Sequence, residues 1–100
     1  MVWKRLFNEK ELSAGSFRRV ETEAEAILVV RVGNRVHALT NRCAHMACSL
    51  DKGTLEDFVI KCPCHDWAYD VRTGEFLAAP EIRLPVYSAK IEDGGVYVDL

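Results

Sequence analysis

Every cysteine of the chain and two of its three histidines lie between residues 43 and 65: Cys43, His45, Cys48, Cys62, Cys64 and His65. They include two compact pairs, Cys43-x-His45 and Cys62-x-x-His65, with sixteen residues between the pairs. Thiolates and imidazoles are ligands for soft and borderline metals. If the two loops face each other, they can share two adjacent sulfide-bridged irons, with both thiolates on one iron and both imidazoles on the other. The same four groups also suit tetrahedral zinc. Zinc sites, however, usually pair Cys with Cys and His with His at wider spacing, whereas each pair here mixes the two types. The spacing therefore favours iron and sulfide, with zinc as the alternative.

Cys43-Ala44-His45-Met46-Ala47-Cys48 and Cys62-Pro63-Cys64-His65 resemble the two cluster-binding boxes of the Rieske family. Asp66-Trp67-Ala68-Tyr69-Asp70 and then Thr73-Gly74 resemble the pattern that follows the second box, so the resemblance covers roughly residues 40 to 85. It implies one [2Fe-2S] cluster per chain, with Cys43 and Cys62 as thiolate ligands and His45 and His65 as imidazole ligands. It also implies that the imidazole edges of His45 and His65 form the electron exit, and that the midpoint potential falls at alkaline pH as they deprotonate.

Cys48 and Cys64 match the extra pair that the respiratory-complex branch of the family joins as a disulfide clamping the two loops. Taken alone they also read as buried or merely tolerated thiols. Tyr69 matches a residue whose hydroxyl donates to the Cys43 sulfur; a core tyrosine bonded elsewhere is the plain alternative. Trp67 stands where the high-potential branch has a serine that bonds a bridging sulfide. Without that donor, the expected potential lies in the lower or middle part of the family range of about -150 to +300 mV.

The 100 residues amount to one domain, of a size at which a metal site or disulfide adds needed stability. The net charge of -2 and the lack of a Lys/Arg block argue against nucleic acid. The longest apolar run, Ala26-Ile27-Leu28-Val29-Val30, suits a buried strand rather than a bilayer span, and Lys4 and Arg5 interrupt the first apolar stretch. We therefore expect no membrane anchor and a cytoplasmic location.

Short apolar stretches punctuated by Gly, Pro, Asn and Asp, with almost no helical periodicity, predict an antiparallel all-β fold. Strands are expected over residues 2–7, 16–20, 25–32, 36–40, 54–56, 58–61, 67–71, 75–77, 86–91 and 96–100. Gly33-Asn34 reads as a hairpin turn, and Pro80 to Pro85 as a break in regular structure. Residues 8–15 read as a helical turn or loop ending at glycine. The alternating Glu21, Glu23 and Glu25 read as a solvated face, and His37 as a surface or half-buried histidine with no role.

The family likeness sharpens the fold to a Rieske-type β sandwich or barrel. Its base would comprise about 1–40 and 78–100, with a small cluster-binding subdomain inserted at about 41–77. The function it implies is that of a soluble ferredoxin, a one-electron carrier between a reductase and a terminal oxidoreductase such as an oxygenase, with no catalysis of its own. Two alternatives stand beside it. One is a non-catalytic Rieske subunit of a larger enzyme of the nitrite reductase or arsenite oxidase type. The other is a zinc-held interaction module.

Overall fold

The computed structural model describes residues 2–44, 48–64 and 66–100. His45 and His65 lie outside the described residues. Twelve β-strands and two short 3-10 turns, Glu9–Glu11 and Leu50–Lys52, make up the regular structure among the described residues. Among the described residues no helix is long and apolar enough to cross a membrane. The strands form three antiparallel sheets, and the fold is all-β.

The first sheet joins β1 (Trp3–Asn8), β12 (Gly95–Asp99) and β11 (Ala89–Glu92), in that order. The second runs β10 (Val86–Tyr87), β4 (Arg35–Thr40), β3 (Ala26–Val32) and β2 (Phe17–Glu21). The third is a meander of β5 (Thr54–Glu56), β6 (Val59–Lys61), β7 (Ala68–Asp70), β8 (Glu75–Phe76) and β9 (Ala79–Arg83).

The apolar run of β3 is buried on both faces, which is why it reads as continuous rather than alternating. Ile27 and Val29 enter a core with Phe7, Val36, Ala38, Val96 and Val98 from the first two sheets and Leu12 from the end of the 3-10 turn Glu9–Glu11. Leu28 and Val30 point the other way, into a core that includes Leu39, Leu50, Ile60, Tyr69, Val71, Leu84 and the two sulfur residues Cys43 and Cys62. The second sheet is thus the middle layer, and one of its faces is the floor of the cysteine-bearing region. β3 and β4 pair from Ile27↔Thr40 to Val32↔Arg35 across Gly33-Asn34, the hairpin that the sequence predicts.

Three expectations need correction. The break expected over residues 80–85 is confined to Leu84 and Pro85: Pro80 lies inside β9, the last strand of its sheet. An edge strand tolerates a missing N–H because one of its sides has no ladder to complete. Residues 86–91 are not one strand either. They divide at Ser88 into β10, which pairs with β4, and β11, which pairs with β12. The Ser88 carbonyl accepts from Asp99 N at 2.9 Å, so the chain passes between two sheets at that residue and binds them together. Glu25, finally, is half-buried rather than solvated: its carboxylate accepts from Thr40 Oγ1 at 2.8 Å and from Tyr87 Oη. Burial and this bond push the Tyr87 hydroxyl up to about 12.

Candidate metal centre

Two hairpin loops converge on the second core. The first leaves β4 at Asn41, whose backbone N–H donates to Ala26 O on β3 at 3.1 Å. Arg42 bridges Ser49, and Cys43 N donates to Cys48 O at 3.0 Å, so the two ends of the loop are held together at these residues. The second loop joins β6 to β7. It closes where Cys62 N donates to Trp67 O at 2.7 Å, one step beyond the Lys61↔Ala68 pair. Within it Asp66 takes the left-handed conformation at φ 56, which Asp tolerates at turn positions.

What brings the loops side by side is the short β5–β6 hairpin, and Gly53 permits its return. A Cβ at Gly53 would lie 1.9 Å from the Lys61 carbonyl oxygen, so no larger residue fits between the end of the first loop and the strand feeding the second. Trp67 stacks on Phe76, with ring centroids 4.1 Å apart and planes 6° from parallel, and this pins the second loop to β8.

Cys48 and Cys64 form a disulfide across the two loops, with Cα atoms 6.5 Å apart and sixteen residues of sequence separation. Cys43 and Cys62 keep their thiols and are 3% and 0% exposed. The sulfurs of Cys48, Cys62 and Cys64 lie within 4.8 Å of one another, but two of them are spent in the disulfide and are not metal donors. The disulfide therefore sits directly beside a thiol rather than replacing it.

Tyr69 Oη lies 3.2 Å from Cys43 Sγ and accepts from Ala44 N at 3.2 Å. Burial, then the neighbouring Cys43, raises the Tyr69 hydroxyl well above its usual range, so it is a donor at any ordinary pH. The Cys62 thiol is also pushed up, by burial first and by Cys43 among the lesser causes, although Cys64 N at 3.4 Å works in the opposite direction.

Burial favours the neutral thiol at Cys62, whereas the Cys64 N–H that donates to Cys62 Sγ, and the Tyr69 hydroxyl within hydrogen-bond distance of Cys43 Sγ, can stabilise thiolates. A cation would supply the compensation that burial removes. The donor set thus fits a metal–sulfur group held by Cys43 and Cys62. Sequence reasoning placed Tyr69 and the two cysteine pairs. It missed the Asn41–Asp51 contact and the Trp67–Phe76 stack, because Asn41, Asp51 and Phe76 belong to no motif and each contact joins residues about ten positions apart.

The comparisons with known proteins agree with this geometry. Residues 2–88 match the Rieske [2Fe-2S] domain family. Ferredoxin CarAc of Metapseudomonas resinovorans is 35% identical over 97% of this chain and 92% of its own length. The ferredoxin component of biphenyl 2,3-dioxygenase from Rhodococcus jostii is 35% identical over 100% of this chain and 94% of its own. Among solved structures, a chain in the complex of reduced oxygenase and oxidized ferredoxin in carbazole 1,9a-dioxygenase superposes with a TM-score of 0.89. It shares 35% identity, over 96% of this chain and 91% of that one.

Proposed function

The chain belongs to the Rieske [2Fe-2S] domain family, and from that premise we propose that Cys43, His45, Cys62 and His65 hold its cluster. The protein is a ferredoxin, a one-electron carrier. When bound, the cluster supplies a single reversible electron-transfer step. The observation that carries the ligand assignment is the burial of Cys43 and Cys62 together, each at the closing hydrogen bond of its loop.

The chain's own residues do the rest. The closing bonds Cys43 N to Cys48 O and Cys62 N to Trp67 O fix the backbone of both thiolate positions. Tyr69 and the Cys64 amide donate toward the two sulfurs and favour added negative charge there. The disulfide prevents the loops from parting. We include in the proposal one domain over residues 1–100, with the cluster-binding subdomain at about 41–77 and the base from about 1–40 and 78–100.

The relatives are ferredoxin components of dioxygenase systems, and one is seen in complex with an oxygenase. By that analogy this chain accepts an electron from a reductase and delivers it to a terminal oxygenase, with no catalytic step of its own, in the cytoplasm. Mixing the reduced protein anaerobically with an oxidised ring-hydroxylating oxygenase tests this. The proposal predicts stoichiometric loss of one electron per chain. No transfer to any such oxygenase, together with stable co-purification with a large enzyme, would instead support a fixed subunit.

A further inference from the structure

We propose that Asn41 and Asp51 form a clasp that positions Cys43 for the cluster, an inference that rests on Cys43 being a ligand. Asn41 Nδ2 donates to Asp51 Oδ1 at 2.7 Å, and Asp51 N donates back to Asn41 Oδ1 at 2.9 Å. Leu50 N donates to Asn41 O at 2.9 Å, and Asn41 N donates to Ala26 O at 3.1 Å. One side chain thus ties the start of the first loop to its end, while the backbone of the same residue is fixed to β3.

Asn41 is 3% exposed, one of two buried polar residues among those described. A buried amide is costly unless its groups are bonded, and here both ends of the amide are used on one partner. An apolar residue would fill the space but would not set a distance or a rotation. The contact is also the first rung of a short ladder, since Arg42 with Ser49 and Cys43 with Cys48 follow from it in order. Cys43 is two residues from the clasp, so a shift at Asn41 moves Cys43 Sγ relative to Tyr69 and Cys62. The disulfide holds the first loop to its neighbour, whereas the clasp holds the two ends of the first loop to each other, at a residue whose backbone is fixed to the middle sheet.

The pair permits an exchange test. Asn41→Asp sets two carboxylates against each other. Asn41→Asp with Asp51→Asn restores an amide facing a carboxylate and still leaves an acceptor for the backbone N–H, at the net charge of the native chain. We measure, on the iron-loaded proteins, the rate of iron release to a chelator, the EPR line shape of the reduced form, and hydrogen exchange of the peptide spanning residues 41–52.

In the single variant, release accelerates about tenfold or more, the scale of a lost bond to a charged group. Its EPR line broadens, and exchange across the loop rises. The double variant returns all three to within about twofold of native, as coupled partners in such a cycle should. Should Asn41→Asp fail to fold, Asp51→Ala, which removes the acceptor of Asn41 Nδ2 together with the 4.0 Å ion pair to the exposed Lys52 Nζ, carries the same comparison. Native release and line shape in whichever variant breaks the contact, or no recovery on exchange, overturns the clasp. A native chain that purifies with neither iron nor sulfide overturns the cluster reading instead.

Discussion

Tyr69 is held with its hydroxyl 3.2 Å from both Cys43 Sγ and Ala44 N, and with Cys43 as a thiolate ligand the sulfur can only accept, so the Tyr69 proton is directed at it. A bond that strengthens as the sulfur gains charge stabilises the reduced form. Tyr69→Phe should therefore lower the midpoint potential by roughly 40 mV, taking about 1 kcal/mol for the bond and a one-electron couple. Voltammetry checks this, and an unchanged potential would mean that the hydroxyl serves only the Ala44 amide. His37 offers a prediction away from the cluster. Burial, then Arg72, lowers its pKa from 6.5, with Asp70 opposing and Arg35 adding to the effect, and its Nε2 is buried with no hydrogen-bond partner among the described residues. A depressed value means that the unfolded chain binds the proton more readily. The His37 contribution is thus complete above pH 6.5 and is lost as pH falls through the lower folded value. His37→Gln should flatten that part of the denaturation profile; an identical profile would refute it. These roles differ in how far the sequence shows them. Tyr69 stands at a fixed offset within a motif and was legible, and His37 is half-buried, within the surface or half-buried reading, whereas its ring partner Phe58, in the turn between β5 and β6 with ring centroids 5.9 Å apart, is recorded by no local pattern.

Among the elements, the β5–β6 hairpin sets the distance between the loops, and Gly53 is its tightest point. Gly53→Ala should destabilise the fold by about 2–3 kcal/mol, at the upper end of overpacking costs, because the clashing atom is a backbone carbonyl that cannot turn aside. Chemical denaturation would show it, and native stability would mean that the hairpin yields freely. Most strands were readable because their signals are local: a Gly-Asn turn between apolar runs, Asp57 at φ 53 between β5 and β6, and Asp93 at φ 47 before β12. The division at Ser88 was not readable. Residues 86 to 91 carry no Gly or Pro, and the break arises because β10 and β11 have different partners, a property of the assembled sheets. Pro80 misled for the opposite reason, since a strong local breaker is harmless on an edge. Asn41 and Asp51 stood in plain view, but their pairing depends on the 3-10 turn Leu50–Lys52 bringing Asp51 back.

At the scale of the molecule, three stacked sheets give two cores, and Cys43 and Cys62, the proposed thiolate ligands, are built into the second rather than appended to the surface. Loss of the disulfide should therefore be felt by the whole domain. Replacing Cys48 and Cys64 by Ser should cost about 3 kcal/mol for a loop of this length, or roughly 10–20 °C in Tm for a chain of this size. Calorimetry of the loaded protein tests this, and an unchanged Tm would mean that the metal centre alone holds the loops. The central claim is that Cys43 and Cys62, with His45 and His65, hold a [2Fe-2S] cluster. It is tested most directly by iron, acid-labile sulfide and zinc content of anaerobically purified protein, together with the EPR spectrum of the reduced form. We predict two irons and two sulfides per chain and the low average g of a histidine-ligated cluster. Stoichiometric zinc without labile sulfide, persisting when iron is supplied during expression, would contradict the account.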